Sequence, residues 1–142
     1  MGRYLLTALI LISLAATVMA DLGYLHASND AWPPHARLHA IWNVMHVLAT
    51  HALGLGLLWV GAGRVSIVRV RIAALIMIAY AGSFFLAVAL GPLFGASVVP
   101  DVPPQAMPPQ PFGMDGNLFG FLVGLPLIAL AWWLSERSGH RL

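Results

Sequence analysis

Charged side chains are too scarce in this sequence to cover a surface that faces water. Only 8% of its 142 residues are Asp, Glu, Lys or Arg, whereas 60% are hydrophobic and the mean hydropathy is +0.85. An ordinary soluble domain carries about a quarter charged residues. The sequence therefore predicts an integral membrane protein in a lipid bilayer, and it excludes a cytosolic enzyme domain and a nucleic-acid binder.

Four apolar segments are long enough to cross the hydrocarbon core, which takes about 20 residues of helix. We expect them to form a single all-α membrane domain over residues 1–142, a bundle of four transmembrane helices. The predicted spans are residues 4–20, 38–60, 72–90 and 118–134, joined outside the membrane by loops at 21–37 and 91–117.

The placement of the arginines predicts the orientation of these spans. Six of the seven lie in the N-terminus, the 61–71 loop or the C-terminal tail, and only Arg37 lies on the opposite side. Loops rich in Lys and Arg stay on the cytoplasmic side of a membrane. We therefore expect both termini in the cytoplasm and the 21–37 and 91–117 loops outside, in the inner membrane of a bacterium.

The first apolar segment has a second interpretation. A basic N-terminus, an apolar run and the sequence Val18-Met19-Ala20 are also typical of a cleaved signal peptide. Cleavage would leave three spans and make Asp21 the first residue, without changing the orientation of the others. We favour a retained span, because the run is long enough to anchor and four spans keep both basic termini inside.

Histidines are concentrated in one short part of the sequence. Five of the six lie between His26 and His51. Ionisable residues inside a span are costly and usually face the protein interior or a water-filled cavity. Four positions of the second span share a helical stripe about 60° wide, which we expect to face a cavity, whereas His51 points away from it. The stripe consists of His35, His39, Trp42 and His46.

Helix geometry places two of these histidines beside two residues of the preceding loop. A Pro-Pro pair suits the first turn of the second helix, which puts His35 and His39 one turn apart at the outer membrane boundary. The first span ends near residue 20, so Asp21 and His26 emerge at the same level. Histidine and carboxylate groups are common ligands of transition metals. Together these four residues are predicted to bind a divalent ion such as Zn, Fe or Cu.

Two further residues are expected to act near this site. His46 lies about 10 Å deeper than His39, too far to share the ion, and is predicted to line the cavity as a proton donor or acceptor. Arg37 is predicted to orient a polar group of a substrate, although snorkelling to the interface explains it equally well. Haem is not expected, because the first, third and fourth spans lack a histidine for bis-histidine ligation.

The segment from Asp21 to His39 resembles a pattern in a family of small, uncharacterised four-span membrane proteins of bacteria and fungi. In that family an Asp and a His precede a Trp-Pro-Pro-His-Ala-Arg-aromatic-His box. Leu38 stands where the family has the aromatic residue. The resemblance implies a shared fold and site but no reaction, since the family has no established activity. The matching positions are Asp21, His26, Asn29, Trp32, Pro33, Pro34, His35, Arg37 and His39.

Three functions fit these features. The first is a small membrane enzyme or metal-binding protein that acts on a lipophilic molecule at the outer leaflet. The second is metal-free acid–base isomerisation of an apolar substrate by the same residues. The third is a noncatalytic accessory or assembly subunit, in a membrane complex or a homo-oligomer, because small residues allow close helix approach at Gly54, Gly56, Ala81 and Gly82.

Overall fold

The computed structural model describes residues 1–23, 26–61, 66–98 and 110–139 of the chain. These ranges contain four helices that are each long and apolar enough to cross a membrane, which confirms the four predicted segments. Every helix begins two to five residues before the predicted span, because the polar or basic first turn does not count towards an apolar run. The helices are α1 (Gly2–Leu22), α2 (Pro34–Trp59), α3 (Ile67–Leu90) and α4 (Gly116–Gly139).

The helices pack side by side, and both α1 and α3 contact α2 and α4. Contacts near the helix ends show that sequential helices run in opposite directions. Trp59 at the end of α2 donates a hydrogen bond from Nε1 to Thr7 near the start of α1, over 2.9 Å. Arg71 near the start of α3 pairs with Glu136 near the end of α4, over 2.6 Å. The start of α1 and the end of α4 therefore lie at the same end of the molecule.

Most of the described arginines lie at one end of the helices, and the described aspartates lie at the other end. We name the arginine end after Arg3, Arg69, Arg71 and Arg137, and the aspartate end after Asp21, Asp30 and Asp115. At the arginine end the guanidinium of Arg3 stacks over Trp59, 3.6 Å from the ring centroid. Three predicted features of the loops and tail, Arg64, His140 and Arg141, lie outside the described residues, as does the 99–109 part of the long loop.

The hydrophobic core fills the half of the molecule nearer the arginine end. Leu6 and Ile10 of α1 are fully buried there, against Met77 of α3 and Ile128 of α4. Small side chains such as Ala73 let the helices approach closely in this half. The other half is less completely filled, and it holds the cavities described below.

Candidate functional site

A cavity of about 430 Å³ opens between the helices at the aspartate end, and we call it the outer cavity. Its volume falls within the range of about 300–1,000 Å³ that is common for small-molecule sites. One part of its wall is aromatic, since Phe84 and Phe121 stack there with ring centroids 4.4 Å apart. Among the described residues, no Arg or Lys lines it. Its polar lining includes Asp21, His26, Asn43, Tyr80, Ser83 and Asn117.

Asp21 lies on this wall, in the last turn of α1. One carboxylate oxygen accepts a hydrogen bond from Nδ2 of Asn43 on α2, over 2.7 Å. The other lies 3.5 Å from Nδ1 of His26. The side chain of Asp21 is only 18% exposed, so it is largely enclosed by the protein at the edge of the cavity.

The contacts of His26 also determine which ring nitrogen is basic. Its Nδ1 lies 3.1 Å from the carbonyl oxygen of Ala20. A carbonyl oxygen only accepts hydrogen bonds, so Nδ1 carries the hydrogen in the neutral ring. Nε2 is then the nitrogen with the free lone pair, and it is the atom of His26 that can take up a proton.

The turn after α1 holds His26 in this position. The backbone N–H of His26 donates to the carbonyl of Gly23, over 3.1 Å. Gly23 itself packs so closely that a Cβ atom there would lie 2.4 Å from the carbonyl oxygen of Met19. The ring of Trp32 meets the imidazole edge-on, with centroids 4.8 Å apart. The tight turn and the indole together keep the imidazole beside Asp21.

His35 and His39 form a separate pair on α2. Their Nε2 atoms lie 3.0 Å apart, and both side chains are exposed on the outside of the molecule. Within the described ranges, no group of three or more His, Cys, Asp or Glu side chains is placed to hold one metal ion. The four predicted ligands therefore lie as two pairs, Asp21 with His26 and His35 with His39, and not as one cluster.

The predicted histidine stripe of α2 faces away from the other helices. The buried side of α2 is formed instead by branched residues such as Val44 and Val47, which pack against the neighbouring helices. His46 is exposed and does not line the outer cavity. Close packing of the valine side chains turns a different face of α2 inward, so His46 is not part of this cavity, and its role as a proton donor or acceptor stays a prediction.

Arg37 lies outside the outer cavity as well. Its guanidinium contacts Asp30 over 3.2 Å, and the carboxylate of Asp30 is fully exposed. An exposed ion pair of this kind contributes little to stability, because water screens both charges. In this structure Arg37 ties the loop before α2 to the first turn of that helix and makes no contact with the cavity that would let it orient a substrate.

A buried polar chain that the sequence analysis missed runs between α1, α2 and α3. His51 is fully buried, with Nε2 2.7 Å from the hydroxyl of Ser13. Its ring meets Tyr80 edge-on, with centroids 5.0 Å apart. The hydroxyl of Tyr80 lies 2.6 Å from that of Thr17, and both of these residues line the outer cavity. The chain therefore extends from the cavity into the middle of the molecule.

The sequence does contain a signal for the burial of His51. The buried positions of α2 recur every three or four residues, which is the spacing of one helix face, and His51 belongs to this series. Ser13 and Thr17 are likewise four residues apart, on one face of α1. The buried series of α2 is Ala40, Val44, Val47, His51, Gly54 and Leu58.

No family model matches the sequence, and no curated protein or solved structure shows significant similarity to it. The resemblance of the Asp21–His39 segment to a four-span family stays a prediction. Function is therefore inferred from the geometry of the site.

Proposed function

We propose that this chain binds a small lipophilic molecule in the outer cavity and acts on it by proton transfer. The observation that supports this most strongly is the contact between Asp21 and His26 on the cavity wall. A carboxylate beside an imidazole is a common general acid–base pair. The stacked rings of Phe84 and Phe121 supply an apolar wall for the rest of the molecule.

The chemistry follows from the hydrogen-bond roles of the lining residues. Nε2 of His26 removes a proton from a carbon next to a carbonyl or double bond, and Asp21 stabilises the imidazolium that forms. Return of a proton from the imidazolium to another carbon gives an isomer with no net change of atoms, and in D2O the imidazolium N–H exchanges first, so the returned hydrogen is deuterium. Asn43 uses one N–H on Asp21 and retains a second for a substrate oxygen. No metal is needed for this reaction.

Deuterium exchange tests the proposal without knowledge of the substrate. The purified chain is incubated in D2O with a neutral-lipid extract of bacterial membranes, and the lipids are analysed by mass spectrometry. We expect at least one lipid to gain deuterium on carbon faster than it does in buffer with lipid alone. Equal incorporation with and without the protein would argue against proton transfer.

We further propose that the helices form a membrane-spanning bundle with both termini in the cytoplasm. The arginines gathered at one end support this orientation, by the positive-inside rule. The sequence has no cysteine, so labelling of a single introduced cysteine shows on which side of the membrane that residue lies. In intact cells, a membrane-impermeant maleimide should label Asp30→Cys, whereas Arg137→Cys should be labelled only after lysis. The reverse pattern would contradict the orientation.

Metal binding is a second candidate function, favoured by the distance between His35 and His39. Two imidazole nitrogens bound at about 2.0–2.1 Å to one ion lie about 3 Å apart when they are neighbours in its coordination shell. The two Nε2 atoms lie 3.0 Å apart in the structure. This pair supplies two ligands, and solvent or a second copy of the chain would complete the shell.

The His35→Ala/His39→Ala variant is expected to lose bound metal. Wild type loaded with Zn²⁺ and dialysed in detergent should retain the ion in elemental analysis, and the double variant should fall to background. His46→Ala is the matched control, because it removes an exposed histidine from the same helix. If the double variant retained Zn²⁺, His35 and His39 would be ruled out as its ligands. If His26→Ala also lost Zn²⁺, the predicted four-ligand site would be favoured instead.

A further inference from the structure

A second cavity, of about 320 Å³, runs between α1, α3 and α4, and we call it the apolar cavity. Most of its lining is aliphatic or aromatic, for example Leu9 and Leu127. Thr17 and Tyr80 line both this cavity and the outer cavity. Asn117 and Phe121 also line both, so the two spaces adjoin along these four side chains.

Glycines of α4 give the apolar cavity its width. Gly116, Gly120 and Gly124 line it at four-residue spacing, on one face of the helix. A Cβ atom added at Gly120 or Gly124 would meet no atom within 4 Å. Ile12 of α1 and Val123 of α4 line the same cavity and are 65% and 44% exposed. The space therefore reaches the lipid-facing surface between α1 and α4.

The shape and chemistry of the apolar cavity suit a hydrocarbon chain. Along α1 its lining runs from Leu9 to Thr17, about 12 Å at 1.5 Å per residue. The two hydroxyls at its junction with the outer cavity, on Thr17 and Tyr80, bond to each other. A chain that passes them leaves these two hydroxyls with a partner, so neither incurs the cost of an unsatisfied group.

The lining of the outer cavity indicates the kind of polar group at the other end of such a molecule. It contains the carboxylate of Asp21 and, within the described ranges, no Arg or Lys. A phosphate or carboxylate head would meet a like charge there without a fixed cation. Hydroxyl and carbonyl groups instead match the carboxylate, the amides of Asn43 and Asn117, and the hydroxyl of Ser83.

We propose that the two cavities together hold one single-chain amphiphile. Its neutral head, bearing hydroxyl or carbonyl groups, lies against Asp21 in the outer cavity, and its hydrocarbon chain occupies the apolar cavity. The proposal rests on the proposed function, for which it names the substrate class. Reactive carbons near the head then lie beside His26, while the chain anchors the molecule between α1 and α4.

Photo-crosslinking with a monoacylglycerol that carries a diazirine at the end of its chain tests this placement. In the purified wild-type chain, the label is expected near Leu9 and Leu127, which line the apolar cavity but not the outer cavity. Gly124→Leu fills the cavity and should lower labelling there at least about tenfold, because it displaces several methylene groups. Gly82→Leu is the matched control: this exposed glycine of α3 also has open space around a Cβ atom.

A further variant separates failure of this placement from failure of the proposed function. Ala87 lines the outer cavity, so Ala87→Trp should fill it and also lower labelling. If labelling falls in Ala87→Trp but not in Gly124→Leu, the chain placement is overturned and the proposed function stands. If labelling falls in Gly124→Leu alone, binding in the outer cavity is contradicted. Unchanged labelling in both variants contradicts both proposals.

Discussion

Asp21→Asn is expected to slow deuterium exchange into the lipid substrate at least about a hundredfold, the lower end of what a positioned acid–base group contributes. The amide keeps the shape of the carboxylate but has no negative charge to stabilise the protonated ring of His26, 3.5 Å away. Asn43 can still donate to the amide oxygen, so the local fold should be retained. Deuterium content of the lipids after timed incubations measures the effect.

Asp30→Asn is the matched control for this variant. It makes the same chemical change at the aspartate end, on a fully exposed carboxylate that pairs with Arg37 and does not line the outer cavity. Its exchange rate should equal that of wild type, whereas His26→Gln should be as slow as Asp21→Asn. An Asp21→Asn variant as fast as wild type would remove Asp21 from the mechanism.

His51→Ala is expected to lower the free energy of unfolding by roughly 2–4 kcal/mol. The substitution leaves a void where a fully buried ring packs against Tyr80. It also removes one of the two partners of the Ser13 hydroxyl, which lies 2.7 Å from Nε2 and donates to the carbonyl of Ile10 over 3.1 Å. Reversible denaturation in detergent micelles measures the change.

Two variants show which part of this loss comes from burial. His46→Ala removes the same side chain from an exposed position of the same helix and should change stability by less than about 0.5 kcal/mol. Ser13→Ala keeps the buried ring and removes the hydroxyl bonded to it, and an interhelical hydrogen bond in a membrane protein contributes about 0.6 kcal/mol on average. If His51→Ala were as mild as His46→Ala, the buried position of His51 would be wrong.

The four helices could be predicted from the sequence because the length of an apolar run reports directly on whether a helix can span a bilayer. The contact between Asp21 and His26 was also accessible, since a short turn after α1 brings them to one level. The sequence also grouped His35 and His39 with them, but in the structure these two histidines form a separate pair. Whether they face Asp21 depends on the rotation of α2 about its own axis.

Periodicity alone could not determine this rotation. α2 carries two regular stripes, one with His39 and His46 and the other with Val44, Val47 and His51. In water the more apolar stripe would turn inward, but lipid solvates apolar side chains too, so the hydrophobic effect does not choose between the faces. Packing against α1 and α3 does, and it depends on residues far apart in the sequence, such as Ser13 and Tyr80.

Mass spectrometry of the molecules extracted from the purified chain tests occupation of the outer cavity most directly. Wild type is compared with Ala87→Trp, which fills this cavity, and with Ala89→Trp, an exposed position of α3 outside its lining. We expect one lipophilic molecule to accompany wild type and Ala89→Trp, and to be lost from Ala87→Trp. Equal recovery from all three proteins would contradict a binding site in the outer cavity.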